Sequence, residues 1–160
     1  MENSPDPIAN GTQRPLFYLD DLQVGQRFTT GSQAMTATQI KEFAAQFDPQ
    51  PFHLSEEAAQ HSLFGALAAS GWHTAAVTMR LLVTTGPRLA GGVVGASGEI
   101  KWPLPTRPGD TLHVESEVLA VRPSRSRPER GIVTIRSATH NQRGEVVQLM
   151  TANLVVARRT

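Results

Sequence analysis

Apolar residues recur with a helical period in the first half of the chain. In the segment "TATQIKEFAAQF" they fall three and four residues apart, the spacing of one helical face. Thr36 followed by Gln39 has the capping-box pattern that starts a helix, and Pro49 forces the residue before it out of the helical conformation. The pattern therefore predicts a helix that ends just before Pro49. Its apolar face comprises Ile40, Phe43, Ala44 and Phe47.

Two further helices are predicted after this proline. Ser55 followed by "EEAAQ" has the composition of a cap and an acidic first turn of a short helix. The segment "ASGWHTAAVTMRLLVTTG" predicts the longest helix, which begins near Ser70 and is closed by Gly86 and Pro87. Only Arg80 carries a charge along it, so we expect this helix to be buried on most sides. Its predicted apolar stripe comprises Trp72, Ala75, Ala76, Met79 and Val83.

From residue 92 onward the hydrophobic period changes to two, which is typical of strands. Turn signals separate the strand candidates, "PGD" at 108–110 and "NQRG" at 141–144. Successive antiparallel strands after a long apolar helix indicate an α+β fold in which a sheet wraps around that helix. The four strand candidates are "VVGASGEIKWPLP", "DTLHVESEVLAV", "GIVTIRSATHN" and "EVVQLMTANLVVA".

Length and charge narrow the class of protein. A chain of 160 residues is the size of one domain, and the Pro-, Asn- and Gly-containing residues 1–15 have little to bury. We therefore predict a mobile arm at 1–15 and a single domain at 16–160. The net charge of +1 favours neither a nucleic acid nor an anionic membrane as partner. No stretch approaches the roughly 18 apolar residues of a membrane span, so we expect a cytoplasmic protein.

Composition also narrows the chemistry. The chain has no cysteine, which excludes thiolate nucleophiles and disulfides. The histidines at 61, 73, 113 and 140 show none of the ligand spacings typical of metal sites, so we expect no metal. The glycine-rich "GGVVGASG" lacks the dinucleotide motif and the P-loop lysine, and it leads into a strand. No cofactor is expected.

The strongest candidates for chemistry are Asp48 and His53, which lie on a segment stiffened by Pro49 and Pro51. A rigid loop that holds an acid and an imidazole is what a preorganised catalytic site requires. The structural alternative is that Asp48 is a helix C-terminal turn residue and His53 a hydrogen-bonded loop histidine. Gly71 is the second candidate, because unpaired N–H groups at a helix start stabilise an oxyanion; alternatively, it only allows a tight turn into the helix.

The motifs "FDPQPFH", "ASGWHTAA" and "GEIKWPLPTRPGDTL", in this order, resemble the MaoC-like dehydratases and (R)-specific enoyl-CoA hydratases. The resemblance spans roughly residues 20–156 and implies a hotdog fold, an antiparallel sheet around a long central helix, assembled as a homodimer. The hydratase motif D-x-N-P-x-H matches this chain at Asp48, Pro51 and His53. Gln50 stands where the family has Asn, and Ser70 stands where the hydratases commonly carry His.

The resemblance implies reversible addition of water across the double bond of an enoyl thioester of CoA or an acyl carrier protein. His53 and Asp48 would then be the acid–base pair, and the Gly71 N–H would hold the thioester oxygen. Residues beside these would bind the substrate: Gln50, Pro51, Phe52, Ser70 and Trp72.

Two other functions stay open from the sequence: a hotdog thioesterase and a non-catalytic acyl-thioester-binding protein. The arginines of "RPSRSRPERG" at 122–131 are either a solvated hairpin loop or a clamp for the phosphates of a substrate carrier.

Overall fold

The computed structural model describes residues 14–159, which form a five-stranded antiparallel sheet with one long helix packed against it. The α+β class predicted from the sequence is therefore confirmed. The helices are α1 (Ala37–Phe47), α2 (Pro51–Leu54), α3 (Glu56–Gln60) and α4 (Gly71–Thr85). The strands are β1 (Leu16–Phe17), β2 (Arg27–Ala34), β3 (Arg88–Leu89), β4 (Val94–Lys101), β5 (Thr111–Pro123), β6 (Arg130–His140) and β7 (Val146–Ala157).

The main sheet has the strand order β2-β5-β6-β7-β4, and all its pairs are antiparallel. The short strands β1 and β3 form a separate parallel pair. The "NQRG" turn joins β6 to β7, and Gly144 within it has a φ of +76°, a conformation that favours glycine. Among the described residues β4 pairs only with β7, so it forms an edge of the sheet there.

The core lies between α4 and the inner face of the sheet. Side chains alternate along β5, so Leu112 and Val114 are fully buried while the residues between and after them face the outer side. Val77 and Leu81 of α4 belong to the same apolar cluster. Full burial of such a side chain contributes about 1.5–3 kcal/mol, which fixes α4, and with it the start of this helix, against the sheet.

The predicted apolar stripe of α4 is wrong for the single chain. The side chains of Trp72, Met79 and Val83 are exposed by 59%, 43% and 51%, and the helix is buried through its opposite face. That opposite face includes His73 and Thr74 as well as aliphatic residues. Since α4 is wholly uncharged except for Arg80, one of its apolar faces remains open to solvent in the isolated chain.

Helix α1, strand β2 and the N-terminal arm differ in part from the sequence predictions. The capping box of α1 is present, with Thr36 Oγ1 accepting from the Gln39 N–H at 3.1 Å, but Phe47 is 67% exposed and not part of the core. Strand β2 carried no clear alternation and was not predicted. The proposed mobile arm falls mostly on residues 1–13, outside the described residues, while the Arg14 guanidinium donates to the Gly86 carbonyl oxygen at the end of α4. No helix within 14–159 is long and apolar enough to cross a membrane.

Candidate active site

The segment between α1 and α2 places the acid and the imidazole. Helix α1 ends at Phe47, and Asp48 is its C-terminal cap, with its N–H donating to the Ala44 carbonyl oxygen at 2.9 Å. Pro51 is the first residue of α2, where a proline is well tolerated because its missing N–H would have no helical partner. His53 therefore lies in a single helical turn rather than in the loop that the sequence predicted. The prolines still restrict the backbone around both residues.

Asp48 and His53 are close together. His53 Nε2 lies 3.3 Å from Asp48 Oδ2, and the imidazole is buried. His53 Nδ1 lies 2.6 Å from the Ala68 carbonyl oxygen. A carbonyl only accepts, so Nδ1 carries a proton and donates it, which turns Nε2 toward Asp48. The hydrogen bond at Nδ1 thus leaves Nε2 as the ring nitrogen that can exchange a proton with Asp48 or with a bound water.

Two side chains donate hydrogen bonds to the Asp48 carboxylate. Gln50 Nε2 donates to Oδ1 at 2.6 Å, and Ser70 Oγ donates to Oδ2 at 2.7 Å. Burial alone would raise the pKa of Asp48, but these two hydrogen bonds and the nearby His53 outweigh burial and hold the pKa below its usual value. Asp48 is therefore a carboxylate at neutral pH, and its remaining lone pairs can accept hydrogen bonds from a bound molecule.

Ser70 also caps α4, since its Oγ accepts from the Trp72 N–H at 3.3 Å. The next residue, Gly71, is the first residue of α4, and within residues 14–159 its N–H has no hydrogen-bond acceptor. The helix dipole adds partial positive charge at this point, so an anionic oxygen would be stabilised beside Gly71. Asp48 and the Gly71 N–H are therefore linked through a single buried residue, Ser70.

The side chain of Trp102 explains why residue 71 is glycine. A Cβ added at Gly71 would lie 2.8 Å from Trp102 Cε2, a separation that real Cβ atoms do not show. Trp102 is held there by its Nε1–H, which donates to Gln148 Oε1 at 2.9 Å. Gly71 has no positive φ, so close packing rather than backbone conformation requires glycine. Trp102 and Gln148 were not singled out from the sequence, because no local spacing connects them to Gly71.

The other residues that the sequence predicted as substrate contacts differ in burial and in what they touch. Phe52 is partly buried and packs edge-on against the His53 ring, with ring centroids 4.6 Å apart, so it supports the imidazole. Its ring is also tilted against that of Phe64, with centroids 5.1 Å apart. Trp72 is exposed and meets Trp102 edge-on at 5.3 Å. Pro51 and Gln50 flank the pair at the surface. The candidate site is thus one carboxylate–imidazole pair, with Gln50 and Ser70 donating to the carboxylate and aromatic rings packed around the imidazole.

Two other features lie apart from the pair. An apolar cavity of about 370 Å³ is lined by residues of α4 and the sheet, including Met79, Ile100 and Met150, and by none of the site residues described above. The arginine-rich loop follows β5, whose path from Thr111 is roughly 40 Å long at the rise of a strand. The site contacts the segment that precedes the other end of β5, where the N–H of Ala69, next to Ser70, donates to the Thr106 carbonyl oxygen. A phosphate clamp for this chain's own site is therefore not supported, and these arginines line an exposed hairpin.

Similarity to solved structures gives the fold its name. The chain is similar to the MaoC-like dehydratase from Rhodospirillum rubrum, with 64% sequence identity, 90% of this chain and 99% of that chain covered, and a TM-score of 0.88. It is also similar to the R-hydratase PhaJ1 from Pseudomonas aeruginosa, with 25% identity, 89% and 86% of the two chains covered, and a TM-score of 0.72. These neighbours confirm the predicted hotdog fold.

Two relatives and a family model extend the comparison. The chain is 36% identical over 129 residues to YdeM of Bacillus subtilis (strain 168), an uncharacterized protein, covering 78% of this chain and 88% of that one. It is 32% identical over 113 residues to the 3-hydroxybutyryl-CoA dehydratase of Methylorubrum extorquens, covering 70% of each. The model of the MaoC like domain matches residues 21–141, so the chain belongs to the MaoC-like dehydratase family.

Proposed function

We propose that this protein is a hydratase that adds water reversibly across the α,β double bond of an enoyl thioester and forms an (R)-3-hydroxyacyl thioester. The observation that carries the proposal is the acid–base pair itself, with His53 Nε2 3.3 Å from Asp48 Oδ2. The free N–H of Gly71 at the start of α4 completes the set of groups that this reaction needs.

The proton has a balanced route through these groups. His53 Nε2 takes a proton from a water molecule that Asp48 orients, and the hydroxide adds to the β carbon. The electron pair of the double bond moves to the thioester oxygen as an enolate, which the Gly71 N–H stabilises, a contact worth about 10²–10³ in rate. The proton then passes from His53 to Asp48 across 3.3 Å and from Asp48 to the α carbon, which restores the carboxylate and the neutral imidazole.

The two departures from the hydratase pattern support retained activity. Gln50 stands in place of the family's Asn, and its amide donates to Asp48 at 2.6 Å. Ser70 stands in place of His and donates to the other carboxylate oxygen at 2.7 Å. Both replacements therefore hold Asp48 in its ionised form. The relative from Methylorubrum extorquens, a 3-hydroxybutyryl-CoA dehydratase, makes short CoA thioesters the first substrates to try.

We further propose a homodimer as the active form. Within residues 14–159, strand β4 has an unpaired edge and is exposed along nearly its whole length, and such an edge is a template for pairing with a second chain. Next to it, Trp72, Met79 and Val83 leave an apolar face of α4 uncovered. A second copy of the chain that paired with β4 would cover this face, since β4 follows α4 and both line the same apolar cavity.

The test uses two near-isosteric changes at the pair. Asp48→Asn and His53→Gln should each lower kcat for hydration of crotonyl-CoA by at least about 10²-fold, as expected for loss of general acid–base catalysis. The control is His61→Gln, at an exposed histidine outside the site, which should keep wild-type kcat. Circular dichroism and melting curves establish that each variant is folded. Normal turnover in both site variants would refute the assignment.

The same assay separates the other two functions. A thioesterase would release free thiol from the CoA ester, and a non-catalytic protein would bind the ester with neither hydration nor thiol release. No observation specifically favours the thioesterase or the binding protein. The Asp48–His53 pair and the Gly71 N–H supply the groups that hydration needs.

A further inference from the structure

A second cluster of titratable side chains lies on the outer face of the sheet. His113 and Glu115 are two residues apart on β5, and His140 on β6 is the register partner of His113. Residues two apart on a strand and residues paired across strands share one face, so all three side chains project together. Leu112 and Val114 of β5 face the core on the other side. The cluster is therefore separated by the sheet from α4 and from the Asp48–His53 pair.

The potential donor atoms of the cluster converge. One ligand atom from each residue lies within 4.8 Å of the other two. Glu115 Oε1 is 3.6 Å from His113 Nε2, and Glu115 Oε2 is 3.7 Å from His140 Nδ1. The two imidazole rings are stacked, with centroids 5.2 Å apart and planes 17° apart. Ligands about 2.0–2.1 Å from a tetrahedral Zn²⁺ are roughly 3.3 Å from one another, so small side-chain rotations would bring these atoms onto one ion.

Hydrogen bonding within the cluster does not account for this arrangement. Both carboxylate–imidazole separations exceed 3.5 Å, so Glu115 makes no hydrogen bond to either ring. His140 Nδ1 is buried and has no hydrogen-bond partner within residues 14–159. A buried polar atom without a partner is costly, and the lone pair of a neutral imidazole nitrogen is satisfied equally well by a metal ion.

We propose that His113, Glu115 and His140 bind one divalent transition-metal ion, with Zn²⁺ as the best match. Two imidazoles and one carboxylate are a ligand set that zinc takes in proteins, and three protein ligands leave one coordination position for water or an anion. Glu115 and His140 of the cluster line a groove of about 280 Å³ on this face of the sheet. The site is independent of the hydration proposed above.

The charges around the cluster are balanced. Arg27 and Arg136 line the same groove, and Glu117 lies 3.4 Å from one guanidinium and 3.1 Å from the other. With Glu115, the groove has two positive and two negative groups before a metal is added. The nearby guanidinium charge is thus largely offset by the two carboxylates, so it opposes the binding of a cation only weakly.

The test is metal binding by the full chain, purified without an affinity tag and freed of metal. Isothermal titration calorimetry with ZnCl₂ should give one site per chain, and CoCl₂ should give the visible absorption of tetrahedral Co²⁺. Glu115→Gln and His140→Gln should each weaken Zn²⁺ binding by at least roughly 100-fold, since even outer-shell partners are worth 10–100-fold. His61→Gln, at an exposed histidine outside the cluster, is the matched control and should bind as the wild type does.

Melting curves give a second measure of Zn²⁺ binding and show whether each variant is folded. The metal-free variants should melt close to the metal-free wild type, while Zn²⁺ should raise the Tm of the wild type and of His61→Gln only. Absence of Zn²⁺ and Co²⁺ binding by folded wild-type protein would overturn the proposal. Binding that survives in both Glu115→Gln and His140→Gln would also overturn it, because the ion would then occupy another place. Hydratase activity is not part of the readout, so failure of this proposal and failure of the proposed function remain distinguishable.

Discussion

Ser70 joins the stability of α4 to the charge of Asp48, and Ser70→Ala tests both roles. Its Oγ accepts from the Trp72 N–H at 3.3 Å and donates to Asp48 Oδ2 at 2.7 Å, and the residue is fully buried. Loss of a serine cap costs typically about 1 kcal/mol, and a hydrogen bond to a charged group is worth about 1.5–3 kcal/mol. The free energy of unfolding of the variant should therefore be about 2.5–4 kcal/mol lower than that of the wild type.

The matched control is Ser55→Ala. Ser55 caps α3 through its Oγ, which accepts from the Ala58 N–H at 3.3 Å, the same distance as the cap of α4. It has no bond to Asp48, so its removal should cost about 1 kcal/mol and leave kcat unchanged. In a domain of this size, about 1 kcal/mol corresponds to roughly 2–4 °C in Tm. Ser70→Ala should thus lower Tm by roughly 5–16 °C.

The assay for Ser70→Ala combines urea unfolding at pH 7 with crotonyl-CoA hydration. The Asp48 carboxylate loses one of the two donors that fix it, and displacement of a catalytic group by about 1 Å can cost on the order of 10²-fold in rate. We expect kcat to fall at least about 10-fold. Equal stability loss and equal kcat in Ser70→Ala and Ser55→Ala would refute the reasoning, because Ser70 would then be a helix cap only.

Three further predictions follow from the structure. Gly71→Ala should lower kcat and stability together, since its Cβ would lie 2.8 Å from the Trp102 ring; steady-state kinetics and melting curves measure both. His73→Phe should reduce the loss of stability below about pH 6.5, because burial lowers the pKa of His73 and the unfolded chain takes up this proton first; urea unfolding at pH 7.5 and pH 5 measures this. Met79→Glu should convert the proposed dimer to a monomer, because its side chain lies on the open face of α4; sedimentation measures the mass.

Control variants and refuting outcomes can be stated for these three predictions. Gly31→Ala, where an added Cβ would lie at an ordinary contact distance of 3.4 Å from Thr85 Cγ2, should be nearly neutral in kcat and Tm; a Gly71→Ala enzyme as active as this control would contradict the close packing on Trp102. An unchanged pH dependence in His73→Phe would show that burial of His73 does not matter for acid stability. Val24→Glu, at a residue exposed outside α4, should keep the mass of the wild type. A wild-type mass near 17.3 kDa would rule out the dimer itself.

The sequence predicted elements best where the signal is local. The capping box at Thr36 and the end of α1 before Pro49 depend on neighbouring residues, and the structure has both. Ser55 likewise caps a short helix, as its acidic first turn indicated. The bounds of α4 followed from its uninterrupted apolar run, but the face that it buries did not. Periodicity marks an apolar stripe without saying whether the chain's own sheet or another surface covers it.

In the candidate site, too, the local contacts were predictable from the sequence and the long-range contacts were not. Asp48 and His53 are five residues apart, and both Pro49 and Pro51 lie between them, so the contact between the two side chains was predictable from the motif. The Ala68 carbonyl oxygen that fixes the His53 tautomer is 15 residues away and carries no sequence signal. Long-range pairing also produces the cluster of His113, Glu115 and His140, because a strand register brings β6 beside β5. Such contacts require the sheet, and no spacing along the chain encodes them.

The most direct test of the central proposal is the fate of an enoyl thioester given to purified wild-type protein at neutral pH. Absorbance of the conjugated thioester of crotonyl-CoA would be followed beside a thiol reagent, and then that of a longer and a branched enoyl-CoA. Hydration predicts loss of the enoyl band, no release of free thiol, and a 3-hydroxyacyl product of (R) configuration. Thiol release, or an unchanged band with all three substrates at high enzyme concentration, would contradict the account.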